Sequence, residues 1–298
     1  MALSARAERA IAAETALHVC VLGSEANETN VKLVESWRRR GLRAALRSPP
    51  DRRPLRPETA ILARLDVLPT LDGVEPGLLE LLRLERRGIR VLNRARTLLS
   101  VHDKLRTARI LAREGLPGPR TTTFRDDPRG ASVVLPLVLK PRFGSWGRDV
   151  LLCRDEHELA VAVREVRDRP WFRRHGALLQ ELVPPVGFDL RLVVAGGEVV
   201  GAGTRVAATG EWRTNISLGG ALEVADPPLA AHALAVAAAA AVGADLVGVD
   251  LLPLGDGGYV ILELNGAVEF DERYSLDGRD VYEAAWGALG LPSPDRKE

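Results

Sequence analysis

Three oxygen-bearing side chains near the C-terminal end of the chain are spaced for metal or phosphate chemistry. Asp250 stands in GVDLL, and Glu263 and Asn265 stand two residues apart in ILELN. Alternate residues of an extended chain share a face, so Glu263 and Asn265 project together, and Asp250 converges on them if the two segments pair. Three oxygen ligands with room for water suit Mg²⁺, a hard cation that keeps part of its hydration shell and binds substrate phosphates. A carboxylate among Leu and Val also needs a cationic partner, because burying it alone costs several kcal/mol or drives it to protonate. The alternative is that both carboxylates face solvent at a sheet edge.

A second group surrounds Lys140, which ends the apolar run VVLPLVLKP and precedes a loop, PRFGSWGRDV, that holds Gly144, Ser145, Trp146 and Gly147. Glycines let such a loop turn backbone amides towards a polyphosphate while the ammonium neutralises it. The spacing is neither the G-x-x-x-x-G-K-[ST] of a P-loop nor the G-x-G-x-x-G of a dinucleotide fold. Only Lys32, Lys104, Lys140 and Lys297 are lysines among 41 basic residues, so a lysine inside an apolar strand is a selected feature. Lys104, in HDKLR, opens a helix and reads equally well as an ordinary surface residue. The five histidines, at 18, 102, 157, 175 and 232, have no metal-ligand spacing, and no G-x-S-x-G supplies a nucleophile.

The elements that must carry these residues alternate strand and helix at first. The run from His18 to Gly23, GLRAAL, Ala60 to Leu65 and Ile89 to Leu92 read as short strands, with helices over Asn27 to Arg40 and Leu78 to Arg87. That pattern predicts a small parallel sheet covered by helices. Ser48 to Pro57 is a proline-rich loop, Val101 to Glu114 a helix ended by Gly115, and LPGPR an extended connector into a second lobe. The strand from Val133 to Pro141, the helix HELAVAVREVRD and the strand ALLQELV follow. Beyond Pro184 and Pro185 the pattern turns strand-rich, with a hairpin around Ala195 to Gly197, an Ala-rich helix from Leu229, and the two strands DLVGVDLLPL and YVILELN.

Composition bounds the rest. A chain of 298 residues with 46% hydrophobic and 27% charged residues has ordinary globular usage and exceeds one compact core, so two or three lobes are expected. The net charge of +1 supplies no global field for nucleic acid or a membrane surface. The arginines at 38 to 40 and at 52, 53 and 56 read as a solvated face, or as a patch that docks an acidic protein partner. Cys20 and Cys153 each sit in an apolar strand-like run, which argues for a reducing compartment and a cytoplasmic location. There is no secretion-signal core and no stretch near the roughly 20 apolar residues of a membrane span.

Taken in order, Lys104, Lys140 with its glycine loop, LLQELV, FDLRLVV, RTNISLGG, GVDLL and ILELN resemble the ATP-grasp ligases over about Val91 to Gly290, and most closely their RimK-like and LysX-like branch. The resemblance implies an α/β fold of α+β lobes: an N-terminal pre-ATP-grasp domain over residues 1–98, a central lid subdomain over 99–183 and a C-terminal subdomain with the metal site over 184–298. It implies that Lys104, Lys140 and the glycine loop hold the ATP phosphates, and that Gln180, Glu181, Leu182 and Val183 form the adenine-contacting hinge. Asp189 would lie near ribose or phosphates. Arg191, Arg205 and Arg213, assisted by Asn215, would face the γ-phosphate or acyl phosphate, and Asp250, Glu263 and Asn265 would hold two Mg²⁺, with Mn²⁺ as a substitute. Phosphoryl transfer to a carboxylate brings two anions together, which is why such a site concentrates cations.

The implied reaction activates a carboxylate as an acyl phosphate and passes it to an amine, adding an amino acid such as glutamate to a small molecule, peptide or carrier protein. The implied assembly is a homodimer or homotetramer, without nucleic acid or membrane. A non-catalytic ATP-binding module of the same fold is the competing reading. Two departures bear on substrate: Leu218 stands where RimK-like relatives carry Arg before the double glycine, and Gly266 to Phe270 replaces their Ser-Pro-Gly. In that segment Glu269 reads as a contact for a substrate ammonium or as a plain surface acid.

Overall fold

A computed structural model describes residues 17–49, 51, 53, 55–125 and 134–291. Arg52, Lys297 and the Val133 start expected for the lysine-bearing strand lie outside these residues. Strands β1 (Val19–Gly23), β2 (Ala44–Arg47), β3 (Ala60–Arg64) and β4 (Val91–Leu92) form the expected parallel sheet in the order β2-β1-β3-β4. β1 and β3 are buried along their whole length, as strands covered on both faces must be. Helix α1 (Glu28–Arg39) starts at Asn27, whose side chain accepts the Asn30 amide, and lays Leu33, Val34 and Trp37 on one face. Helices α2 (Leu78–Arg86) and α3 (Ala95–His102) cover the other with Leu81, Leu84, Ala95 and Leu98.

The single helix expected over Val101 to Glu114 is instead two. α3 ends at His102, and α4 (Lys104–Arg113) begins after Asp103, whose backbone is extended and whose Oδ1 accepts the Arg106 amide at 3.2 Å. The same carboxylate takes the Arg142 guanidinium in two hydrogen bonds of 2.7 and 2.5 Å. Apolar spacing is continuous across the break, but an aspartate that caps a helix cannot lie in its interior. The break makes Lys104 a first-turn residue.

The middle sheet, in the order β5-β8-β6-β7, joins β5 (Thr121–Phe124), β6 (Leu137–Pro141), β7 (Leu151–Cys153) and β8 (Ala177–Glu181), all antiparallel. Helices α5 (Glu156–Val166) and α6 (Pro170–His175) supply Leu159, Ala162, Val166, Trp171 and Phe172 to its core. The extended connector therefore ends in a strand, where Thr121 faces Gln180 across the ladder.

The third sheet contains β9 (Phe188–Ala195), β10 (Glu198–Val206), β11 (Ala221–Val224), β12 (Leu246–Pro253) and β13 (Tyr259–Asn265), antiparallel in the order β11-β10-β9-β12-β13. Its two faces separate cleanly along β9. Leu190, Leu192 and Val194 pack with α7 (Leu229–Val242), whose small alanines bring the helix close. Val193 and Ala195 turn the other way, into a core shared with the parallel sheet and α8 (Val281–Ala288). Gly248 is needed on that face, since a Cβ there would sit 2.4 Å from Val268 Cγ2 in the segment that folds back after β13. Among the described residues no helix is long and apolar enough to cross a membrane.

Candidate active site

The face of the third sheet that turns towards the parallel sheet carries a row of functional groups. Gly203, Arg191, Asp250 and Glu263 stand directly opposite one another across β10, β9, β12 and β13, and Arg205 faces Asp189 one row along. Period-two alternation puts all their side chains on one side. Asn265 is a further step along β13, opposite Gly248, and its Oδ1 accepts the Ala267 amide at 3.0 Å.

The buried carboxylates are matched by side-chain cations. Arg191 grips Asp250 with two hydrogen bonds of 2.8 Å. Arg205 holds Asp189 at 2.8 and 2.5 Å and reaches Asp250 Oδ2 at 2.7 Å. Asp189 and Asp250 are each 1% exposed, and Thr214 Oγ1 donates to Asp189 at 2.7 Å. Burial would raise Asp250, but the two guanidiniums hold it far below the usual carboxylate range. Asp189 enters the cleft through Arg205 and Thr214, which occupy its oxygens.

Lys104, in the first turn of α4, closes the row. Its Nζ lies 2.8 Å from Glu263 Oε2 and donates to the Gly144 carbonyl at 2.9 Å. Burial opposes charge on Glu263, yet Lys104 and Lys140 keep its pKa lowered. Lys140, 4% exposed, donates to Gln180 Oε1 at 2.7 Å, and Gln180 in turn donates to Thr121 Oγ1 at 2.8 Å. Burial brings the Lys140 ammonium down to about 8, with Glu263 pulling the other way and Lys104 adding to the fall.

The glycine loop lies over this row. Arg213, paired with Glu211 at 2.7 Å, donates to the Gly147 carbonyl at 3.0 Å, and Ser217 Oγ donates to the Trp146 carbonyl at 3.0 Å. Trp146 holds φ 56°, a left-handed backbone that costs a bulky residue energy and marks a constrained site. Gly147 holds φ 67°, and a Cβ there would meet Asn215 Oδ1 at 2.7 Å. Arg148 stacks on the Trp146 ring at 4.9 Å and reaches the Pro69 carbonyl at 3.2 Å, tying the loop to the N-terminal lobe.

Every described residue given a role in nucleotide, metal or acyl-phosphate binding lies on one of two adjoining cavities, and Leu218 lies on neither. A narrower cleft between the middle and third sheets takes Lys104, Lys140, Gly144 to Gly147, Gln180 to Val183, Asp189, Arg205, Arg213, Asn215, Asp250 and Glu263, with Val138, Leu252 and Leu262 as apolar walls. Arg191 and Asn265 lie on a second cavity of about 770 Å³ that shares Lys104, Arg205 and Glu263 with the first. Sequence reading misses Asp103 and Arg142, which fix Lys104, and Thr121, which orients Gln180. The Asp-Lys start of α4 is the signal that could have exposed the first of these.

A RimK-like ATP-grasp domain matches residues 101–281. Among curated relatives, human beta-citrylglutamate synthase B is 33% identical over 223 residues, 70% of this chain and 56% of that protein. The chain thus aligns with little more than half the length of that relative. Glutamate–LysW ligase ArgX of Sulfolobus acidocaldarius is 31% identical over 206 residues, 67% of this chain and 72% of that one. Among solved structures, the ATP-grasp ligase PsnB complexed with minimal precursor, Mg and ADP superposes with a TM-score of 0.65 at 20% identity, covering 92% of this chain and 98% of that one, a likeness of fold.

Proposed function

This chain belongs to the RimK-like ATP-grasp family, and on that footing we propose that it is an ATP-dependent carboxylate–amine ligase working through an acyl phosphate. The row Arg191–Asp250–Glu263, met by Lys104 from α4 and sharing a cleft with Lys140 of β6, is the observation that carries the reading. Four cationic side chains, counting Arg205, surround the buried Asp250 and the partly buried Glu263 where two cavities meet, an arrangement suited to bringing a phosphoryl group and a carboxylate together.

In this reading the adenine lies between Val138, Leu182, Leu252 and Leu262, beside the Gln180 to Val183 backbone. The phosphates run towards Lys140 and Lys104. Asp250, Glu263 and Asn265 offer two carboxylates and an amide, hard oxygen donors of the kind Mg²⁺ takes, and an ion there would share or displace the contacts that Arg191, Arg205, Lys104 and the Ala267 amide make with them. Two such ions, or Mn²⁺ in their place, would neutralise the transferring phosphoryl charge. The substrate carboxylate attacks the γ-phosphorus to give ADP and an acyl phosphate, whose charge Arg191 and Arg205 balance, with Arg213 and Asn215 holding the glycine loop over it. An amine then attacks the acyl carbon and phosphate leaves.

Relatives such as glutamate–LysW ligase ArgX support an amino acid, glutamate among the first to try, joined to an amine on a small molecule, peptide or carrier protein. The two buried thiols support a reducing, cytoplasmic setting, and a homodimer or homotetramer is the assembly expected of such a ligase. The domain limits expected from the sequence, residues 1–98, 99–183 and 184–298, are kept as the proposed lobes.

The test is ADP release and, with hydroxylamine as trap, hydroxamate formation from ATP, Mg²⁺ and a panel of amino acids and dicarboxylates, with Asp250→Ala/Glu263→Ala as the blank. Donor-dependent hydroxamate that vanishes in the blank supports the ligase. Tight ATP binding with no hydroxamate from any donor would sink it and favour a non-catalytic ATP-binding module.

A further inference from the structure

The larger cavity has a negative wall that the nucleotide chemistry leaves unused. Asp66, directly after β3, and Glu269, in the segment after β13, approach it from different lobes. Glu263 and Asp271 on the same cavity are ion-paired with Lys104 and Arg273. Asp66 and Glu269 make no ion pair among the described residues. Asp66 Oδ1 accepts the Val67 amide at 2.6 Å, and Glu269 meets the Trp146 indole. Partial burial raises both carboxyls, and the charge of Asp66 raises Glu269 further.

Arg64, Lys104 and Arg148 pull Asp66 down and Arg191 and Arg64 pull Glu269 down, and of these Arg64 lies out of a ligand's reach. Arg64 is 1% exposed and donates to the Asn30 side chain and the Val268 carbonyl, and its Nη1 has no hydrogen-bond partner among the described residues. It feels the field of both carboxylates. Both carboxylates line the cavity that also holds Lys32, Lys104, Arg191 and Arg205. An amine that will attack an acyl phosphate formed at those cations reaches the site as an ammonium at neutral pH, since aliphatic amines have pKa values near ~10.

We propose that Asp66 and Glu269, one from each lobe, recognise the ammonium of the acceptor, so that this ligase selects cationic amines over neutral nucleophiles. The inference rests on the ligase reading. It assigns specificity to a residue pair and leaves activation of the carboxylate to the cationic row.

The test compares hydroxylamine, neutral near pH 7, with cationic amines. Putrescine, L-lysine and L-amino-acid amides are measured as acceptors or as competitors of hydroxamate formation, in the full chain and in Asp66→Asn, Glu269→Gln and Glu269→Asp. We expect KM or Ki for the cationic amines to rise about tenfold or more in each neutral variant, the size of one charge-assisted hydrogen bond. KM for ATP should stay within about twofold, the hydroxylamine rate should fall less than about threefold, and Glu269→Asp should recover part of the selectivity. Equal losses with hydroxylamine and amines would make the pair merely structural and overturn the proposal. Unchanged amine constants, or a wild-type protein that forms hydroxamate but neither uses nor is inhibited by any cationic amine, would overturn it as well. No hydroxamate from the wild-type protein would bring down the ligase reading itself, a separate outcome.

Discussion

Asp250 and Glu263 are direct cross-strand partners on β12 and β13, yet their charges are balanced from different parts of the molecule. Asp250 is held by Arg191 and Arg205 of its own sheet, Glu263 by Lys104 from the first turn of α4. The acid pair is therefore complete only when α4 and the third sheet are in register. Lys104 also holds the Gly144 carbonyl, so one ammonium joins helix, sheet and glycine loop.

Replacing Lys104 with Met should remove both connections, to Glu263 and to the Gly144 carbonyl. We expect KM for ATP to rise about 10- to 100-fold and stability to fall by about 1–2 kcal/mol, discounted because the Glu263 side chain is 23% exposed. Adding Glu263→Gln should restore the melting temperature, since no uncompensated acid then remains, without restoring turnover. A double variant no more stable than Lys104→Met would show that the pair is not what the lysine stabilises.

Asp189→Asn keeps the shape of the Arg205 cradle and removes its charge. With Thr214 and Arg205 both bonded to Asp189, the variant should lower kcat about 10- to 100-fold while KM for ATP moves less than about threefold, because Arg205 serves the transferring group more than the bound nucleotide. Steady-state kinetics with the donor found by hydroxamate trapping decide this. A pure KM effect would return Asp189 to direct nucleotide contact.

Much of this arrangement could be read before any coordinates. Asp250 and Glu263 betrayed themselves as acids on apolar strands, and Lys140 as a rare lysine in another. The common face of Glu263 and Asn265 followed from alternation, and Asp250 joined them on condition that the two strands pair. What could not be read was register between strands distant in sequence: the hairpin of β9 and β10 is local, but that Gly203, Arg191, Asp250 and Glu263 form one row depends on β9 also pairing with β12, which no local pattern encodes. The break at Asp103 was hidden because apolar spacing continues across it, and β5 because three threonines after prolines read as a connector until β8 supplies a partner. The carboxylates did require cations, and the nearest ones are protein side chains.

The glycine loop should tolerate little. Gly147→Ala places a Cβ against Asn215 Oδ1 and asks alanine to hold φ 67°. The left-handed backbone costs about 1 kcal/mol and the clash adds to it. Since the loop lies over the cavities and outside the cores, kcat should fall about tenfold or more with a melting temperature nearly unchanged, measured by turnover and thermal denaturation on one preparation. A large loss of stability with normal turnover in the surviving fraction would refute the loop's role in the reaction.

Lys140 gives a pH dependence with two opposite signs. Burial lowers its ammonium to about 8 from 10.5. Between those values the unfolded chain carries a proton that the folded chain has lost, so this residue makes stability rise with pH across that window, and it imposes a constant penalty below about 8. Nucleotide binding runs the other way, because the phosphates favour the protonated lysine. The logarithm of kcat/KM for ATP should therefore fall with a slope approaching minus one above about pH 8, while kcat, measured with phosphate already beside the ammonium, should hold to higher pH. Lys140→Arg keeps the charge at every accessible pH. It should lose activity to the altered geometry and also lose the inflection near 8 in kcat/KM. If the inflection persists in that variant, the titrating group is another one, and the case for Lys140 as the phosphate ammonium fails with it.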